Sequence, residues 1–134
     1  MHNRPDFSLW HGRPYHSLHA FCLNTYHEKL YKIAIDAGMT CPNRDGTCGS
    51  RGCIFCSMGG SGDFAVRAGG RPVSEQIREG LSLFHGKKTG SRFIAYFQAY
   101  TNTYAPVEQL ETLYTQALSS SEIAGISIAT RPDA

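Results

Sequence analysis

Nowhere in the sequence do apolar residues run for the roughly 18 positions that a membrane-spanning helix needs, so no segment is expected to cross a bilayer. The N-terminus, MHNRPDFSLWHGRPYH, also lacks the apolar stretch of a secretory signal. A cytoplasmic location is therefore the expectation. Charge of one sign is scarce as well. Thirteen Lys and Arg face eleven Asp and Glu, a net charge of +2. That imbalance is too small to predict a nucleic-acid partner and too small to exclude one. No internal repeat or low-complexity tract is present. With 41% hydrophobic and 18% charged residues, the composition is globular rather than disordered. The 134 residues suffice for one domain with a single core.

What the chain does have is a concentration of cysteine. Five cysteines stand at 22, 41, 48, 53 and 56, four of them within sixteen residues. In a reducing compartment such a cluster points to metal ligands rather than disulfides, and an odd total fits a disulfide framework poorly. Cys22 lies apart from the others, on the preceding helix, and reads as an ordinary packed residue.

Periodicity places this cluster in the chain. Residues 1–29 read as a polar arm followed by a helix over 15–29, with Leu18, Phe21, Cys22 and Tyr26 as its apolar positions. LYKIAIDA, 30–37, reads as a strand. Residues 38–72 hold nine glycines, four cysteines and two prolines, and almost no periodicity. A loop of that length in a compact domain is usually functional and needs something to organise it. A helix follows over 73–88, with Ile77, Leu81 and Phe84 on one face. Ser74 is its expected N-cap, and Glu75 suits the positive helix start. SRFIAYFQA, 91–99, reads as a buried strand. Pro106 suits the first turn of a helix whose stripe is Val107, Leu110, Leu113, Tyr114 and Ala117. IAGISIAT, 123–130, is a third strand. This βαβαβ order implies an α/β fold with a parallel sheet and right-handed crossovers. Three units do not close a barrel, so residues 30–134 are expected to be part of a larger domain, truncated after the third strand. The alternative is a complete small α/β domain, against which an exposed third-strand edge argues.

The loop AGMTCPNRDGTCGSRGCIFCSMGG leaves the carboxyl end of the first strand, where α/β folds place active sites. Thiolates suit iron–sulfur clusters and zinc. The C-x-x-C pair Cys53/Cys56 lets two sulfurs converge. Gly46, Gly49 and Gly52 permit tight turns. Structural zinc would use all four cysteines. A cluster with one open iron would use three. Spacing alone does not choose between them. A redox C-x-x-C fits less well, since such motifs open a helix directly after a strand.

The stretch KIAIDAGMTCPNRDGTCGSRGCIFCS resembles the cluster loop of radical S-adenosylmethionine (SAM) proteins of the YhcC/YtqA type, relatives of the catalytic subunit of Elongator. FQAYTNTYAP and SIATRPD resemble two further blocks of that family, in matching order. The resemblance covers about 30–134. It implies the N-terminal part of a partial (β/α)6 TIM-like barrel. It implies a [4Fe–4S] cluster on Cys41, Cys53 and Cys56, spaced Cys41-x11-Cys53-x2-Cys56 rather than the usual C-x3-C-x2-C. Phe55 would pack near the adenine of SAM. Reduction of the cluster would lead to homolysis of the SAM S–C5′ bond. The resulting 5′-deoxyadenosyl radical would take a substrate hydrogen. An electron donor such as flavodoxin or ferredoxin is implied, and the Elongator kinship points to tRNA modification.

Two features depart from the family pattern. Cys48 falls inside the stretched gap, as a local substitution or as a fourth ligand that would favour zinc. No Gly-Gly-Glu segment follows the second strand, so polar groups of QAYTN, with Gln98 and Thr101 foremost, would meet SAM there. The other reading of Gln98, Tyr100, Thr101 and Asn102 is a plain strand-to-helix turn. Thr130 and Arg131 end the third strand, where Arg131 would meet a carboxylate or form a structural salt bridge. Arg44 and Asp45 are expected to bond each other and stiffen the loop. Lys32 is expected at the surface. His16, His19 and His27 are expected to be solvated rather than metal-bound. Tyr96, Phe97 and Tyr100 suit base stacking but read first as core.

Overall fold

The computed structural model describes residues 7–58, 70–86 and 90–134. Among these, a 3-10 turn at Ser8–Trp10 precedes helix α1 (Leu18–Tyr26), strand β1 (Tyr31–Ile35), helix α2 (Val73–Ser82), strand β2 (Phe93–Phe97), helix α3 (Val107–Leu118) and strand β3 (Ile123–Ile128). The three strands form one parallel sheet in the order β1-β2-β3. Tyr31 pairs with Phe93 and Ile35 with Phe97. Between β2 and β3 the register slips by one after Phe93, so Ile94 faces Gly125. The expected α/β class with a parallel sheet is present.

Alternation along the strands sorts side chains onto two faces. Ile33, Ile35, Phe93, Ala95, Phe97 and Ile123 point to one face and meet Val73 and Ile77 of α2 and Ala117 of α3. Phe97 and Ile35 are fully buried, each contributing about 1.5–3 kcal/mol of transfer free energy. Phe97 also meets Tyr114 edge-on, with ring centroids 4.9 Å apart. The opposite face carries Lys32, Ala34, Ile94 and Tyr96, none of them buried. Lys32 is exposed, with its ammonium 4.4 Å from the Tyr96 ring centre.

Local chemistry sets the element ends. Ser17 caps α1, its hydroxyl accepting from Ala20 N–H at 3.1 Å. His27 closes the helix in the left-handed region, so α1 is shorter than the expected 15–29. Cys22 is buried as expected, whereas Leu18 and Phe21 are exposed. The expected cap of α2 is corrected. Pro72, not Ser74, is the N-cap. Its carbonyl accepts from Glu75 and Gln76 N–H, which puts Ser74 inside the first turn. Glu75 does occupy that turn. Pro106 likewise stands just before α3 rather than within it. Val107 is exposed, while Leu113 and Tyr114 pack on the core. The loop expected over 38–72 contains only turns across 38–58, and its residues 59–69 lie outside the described part. Among the described residues no helix is long and apolar enough to cross a membrane.

Candidate functional site

The cysteine loop crosses the carboxyl ends of the strands. It is tied there by backbone bonds: Thr101 N–H donates to Thr40 O at 3.1 Å, and Gln98 N–H to Ile35 O at 3.1 Å. Beneath it lies a cavity of about 360 Å³. Cys41, Cys53, Phe55, Cys56, Gln98, Thr101 and Arg131 all line this one cavity. Tyr96, Tyr100 and Thr130 complete much of its wall. Phe55 stands at the mouth, 80% exposed. Thr101 is buried.

All five cysteines are free thiols. Cys48 does not join the other three in this cavity. It is exposed and lines a separate, open depression with Asn43, Gly49, Ser50, Arg51 and Gly52. Its N–H donates to Pro42 O at 2.8 Å, which holds the turn that points it away. Among the described residues, no three His, Cys, Asp or Glu converge tightly enough to hold a single metal ion. His16, His19 and His27 are exposed.

Polar groups surround the thiols. Burial pushes the Cys41 thiol up. Hydrogen bonds from the Thr101 hydroxyl and the Asn43 N–H, together with Arg131, outweigh it and lower the pKa. Asn43 Nδ2 donates to Cys53 Sγ at 3.1 Å. Arg131 forks onto Asp133 with contacts of 2.8 and 2.7 Å, and its charged form is favoured first by Asp133 and then by Cys41. Its Nη1 is buried with no hydrogen-bond acceptor among the described residues. The salt-bridge reading of Arg131 is therefore met.

Arg44 and Asp45 do not bond each other. Asp45 accepts from Thr47 N–H within its own turn. Arg44 reaches across the loop instead, donating to Cys56 O at 3.3 Å and Ser57 O at 2.6 Å. Its guanidinium lies over the Tyr100 ring. It also packs on Gly52, whose φ is +74° and where a Cβ would come within 2.8 Å of Nε. Glycine at 52 is thus favoured by the left-handed turn, and the guanidinium fills the space beside it. Tyr100 is a non-glycine residue at φ 61°, a conformation costing roughly 1–2 kcal/mol. Its hydroxyl donates to Met58 O, which ties the strained turn to the far end of the cysteine loop. Phe97 is core, as expected of it, but Tyr96 and Tyr100 face the cavity. Asn102 is fully buried away from it. Its Nδ2 meets the carbonyls of Phe97, Ala99 and Ala129 and joins the ends of β2 and β3.

One supporting residue has no signal in the sequence pattern. Gln76, buried on α2, accepts from Asp36 N–H at 2.9 Å and donates to Asp36 O at 2.9 Å. It pairs with the residue that leads β1 into the loop as a neighbouring strand would.

No protein-family profile and no solved structure matches the chain. It is similar to the uncharacterised protein YtqA of Bacillus subtilis, 46% identical over 133 residues, which is 99% of this chain and 41% of YtqA. It is similar also to YhcC of Escherichia coli, 42% identical over 108 residues, covering 81% of this chain and 33% of YhcC. The uncharacterised protein MJ0486 of Methanocaldococcus jannaschii is 38% identical over 110 residues, 81% of this chain and 32% of its own length. The chain thus spans well under half the length of the curated relatives it matches, and their names state no activity.

Proposed function

We propose that this chain is the cluster-bearing part of a radical SAM enzyme, built on the first strands of a partial (β/α)6 barrel. Cys41, Cys53 and Cys56 would hold the [4Fe–4S] cluster. The observation that carries this reading is the partition of the thiols. Three share one cavity at the carboxyl ends of parallel strands, and the fourth faces another depression.

The donor set fits such a group. A cluster's thiolates bind different irons, so they need not converge on one point as zinc ligands must. Three soft donors around one cavity suit that demand. Arg131 lines the cavity, where its guanidinium suits an entering carboxylate. Gln98 and Thr101 offer further polar contacts for SAM, and Phe55 an aromatic surface at the mouth for its adenine. When bound, the cluster and SAM would supply one-electron chemistry ending in a 5′-deoxyadenosyl radical. The chain's part is to hold, orient and shield them. Arg44 braces the second cysteine pair through the carbonyls after it. A flavodoxin- or ferredoxin-type donor and a tRNA substrate complete the proposal, the latter resting on the Elongator resemblance alone.

Anaerobic reconstitution with iron and sulfide tests it. The chain should take up about four irons, as a [4Fe–4S] centre requires. Cys41→Ala, Cys53→Ala and Cys56→Ala should each abolish uptake, and Cys48→Ala should not. With dithionite and SAM, release of 5′-deoxyadenosine is expected. Stoichiometric zinc bound through all four cysteines, with no cluster uptake, would sink the proposal and favour a zinc-stabilised binding module.

A further inference from the structure

Asn43 reaches directly to one of the three cavity thiols. Its side-chain Nδ2 donates to Cys53 Sγ at 3.1 Å. Its carbonyl accepts from Gly52 N–H at 2.9 Å, fixing the residue immediately before Cys53. The preceding Pro42 is buried, and its carbonyl accepts from both Cys48 and Gly49 N–H. The short segment 42–43 therefore performs two tasks. It turns Cys48 out of the cavity and aims the Asn43 amide at a sulfur inside it.

Resting on the cluster reading above, we propose that Asn43 is a positioning residue that fixes the Cys53 sulfur and raises the reduction potential of the cluster through its amide hydrogen bond. The physical reason is charge. A reduced cluster carries one more electron, and part of that density falls on the ligand sulfurs. An N–H donor on a sulfur stabilises the more negative state, so hydrogen bonding of this kind tunes cluster potentials. The bond also takes the place of water at Cys53, so the sulfur keeps one orientation. Asn is the fitting side chain because it is short, neutral and a donor. An aspartate of the same size would present only acceptors to a thiolate.

The test uses the full chain, reconstituted anaerobically and titrated with dithionite under electron paramagnetic resonance. Asn43→Leu keeps the volume and removes the donor. Asn43→Asp keeps the shape and reverses the polarity. Asn43→Leu should hold the same iron as the natural chain and show a more negative midpoint. A threefold to tenfold change in the reduction equilibrium is expected, where tenfold is about 59 mV for one electron. Asn43→Asp should shift further in the same direction. A variant that keeps its far-UV circular dichroism but takes up no iron supports the positioning role, since all the thiols remain. An unchanged midpoint at full iron content in Asn43→Leu overturns this inference and leaves the cluster reading standing. Loss of the circular dichroism in both variants makes Asn43 a folding element and also overturns it. A natural chain that takes up no cluster overturns both.

Discussion

Two residues, Gln76 and Asn43, show what side-chain amides do when they are packed beside backbone or sulfur. Gln76 satisfies the N–H and the carbonyl of Asp36 and reaches Arg71 O at 3.2 Å as well. Its replacement by leucine keeps the volume but strands these buried groups. Stranded polar groups cost about 1–3 kcal/mol, so Gln76→Leu should lower the urea midpoint with an unchanged slope. A midpoint equal to that of the natural chain would mean that water replaces the amide. Neither residue could be recognised from the sequence pattern, because the partner of Gln76 lies forty residues away and that of Asn43 ten. Cysteine was legible for the opposite reason. Its chemistry is narrow, so four cysteines within sixteen residues pointed to a metal or cluster site, while the choice of Cys41, Cys53 and Cys56 rested on the family resemblance. The role of Arg44 was half legible. Its structural character was expected, but its partners are the carbonyls of Cys56 and Ser57 rather than Asp45.

At the scale of elements, hydrophobic periodicity gave the order of strands and helices, and every described strand and helix of the sheet layer lies within its expected span. Boundaries were less legible because caps decide them. Pro72 adopts the extended conformation that a cap requires, at φ −58° and ψ 150°, and so takes the place expected of Ser74. The spacing between layers was hidden too. Gly80 lies on the face of α2 that meets β1, where a Cβ would come within 2.3 Å of Ile33 Cγ2. Nothing in the periodic stripe of Ile77, Leu81 and Phe84 reveals so close an approach. Gly80→Ala sets two effects against each other. Alanine gains up to about 1 kcal/mol over glycine in a helix interior. Forcing a methyl into a packed interface costs typically 1–3 kcal/mol. The backbone and Ile33 would both have to yield, so a net loss of roughly 1–2 kcal/mol is expected. The double variant Gly80→Ala/Ile33→Ala should be more stable than the sum of its two single losses, because the second change removes the clash. Strict additivity in chemical denaturation would show that the clash is relieved elsewhere.

At the scale of the whole chain, the N-terminal element and the site occupy opposite ends of the sheet. The site lies over the carboxyl ends of the strands. The end of α1 is fastened near their beginnings, where Glu28 accepts from Ser91 N–H at 2.7 Å and Arg92 Nε at 2.7 Å. Arg92 also donates to Tyr26 O and stacks on the Tyr26 ring. This fastening is only half-buried, so salt should weaken it, and it should depend on pH in a definite direction. The Arg92 hydrogen bond, foremost, and the Ser91 N–H hold the Glu28 carboxyl below its ordinary value. A carboxylate with a depressed pKa in the folded state stabilises the fold above its unfolded value. That contribution fades as pH falls through the folded value. Asp45, held first by Thr47, Glu122, held first by Ser120, and Asp133, held first by Arg131, shift the same way. The chain should therefore lose stability as pH drops through and below the ordinary carboxylate range. Glu28→Gln should lower stability at neutral pH and flatten the acid limb, since glutamine has no proton to gain there. Urea midpoints of the two proteins across that range check this prediction. They should converge as the medium becomes acid. A constant difference between them at every pH would mean that Glu28 acts through its shape and hydrogen bonds rather than through its charge.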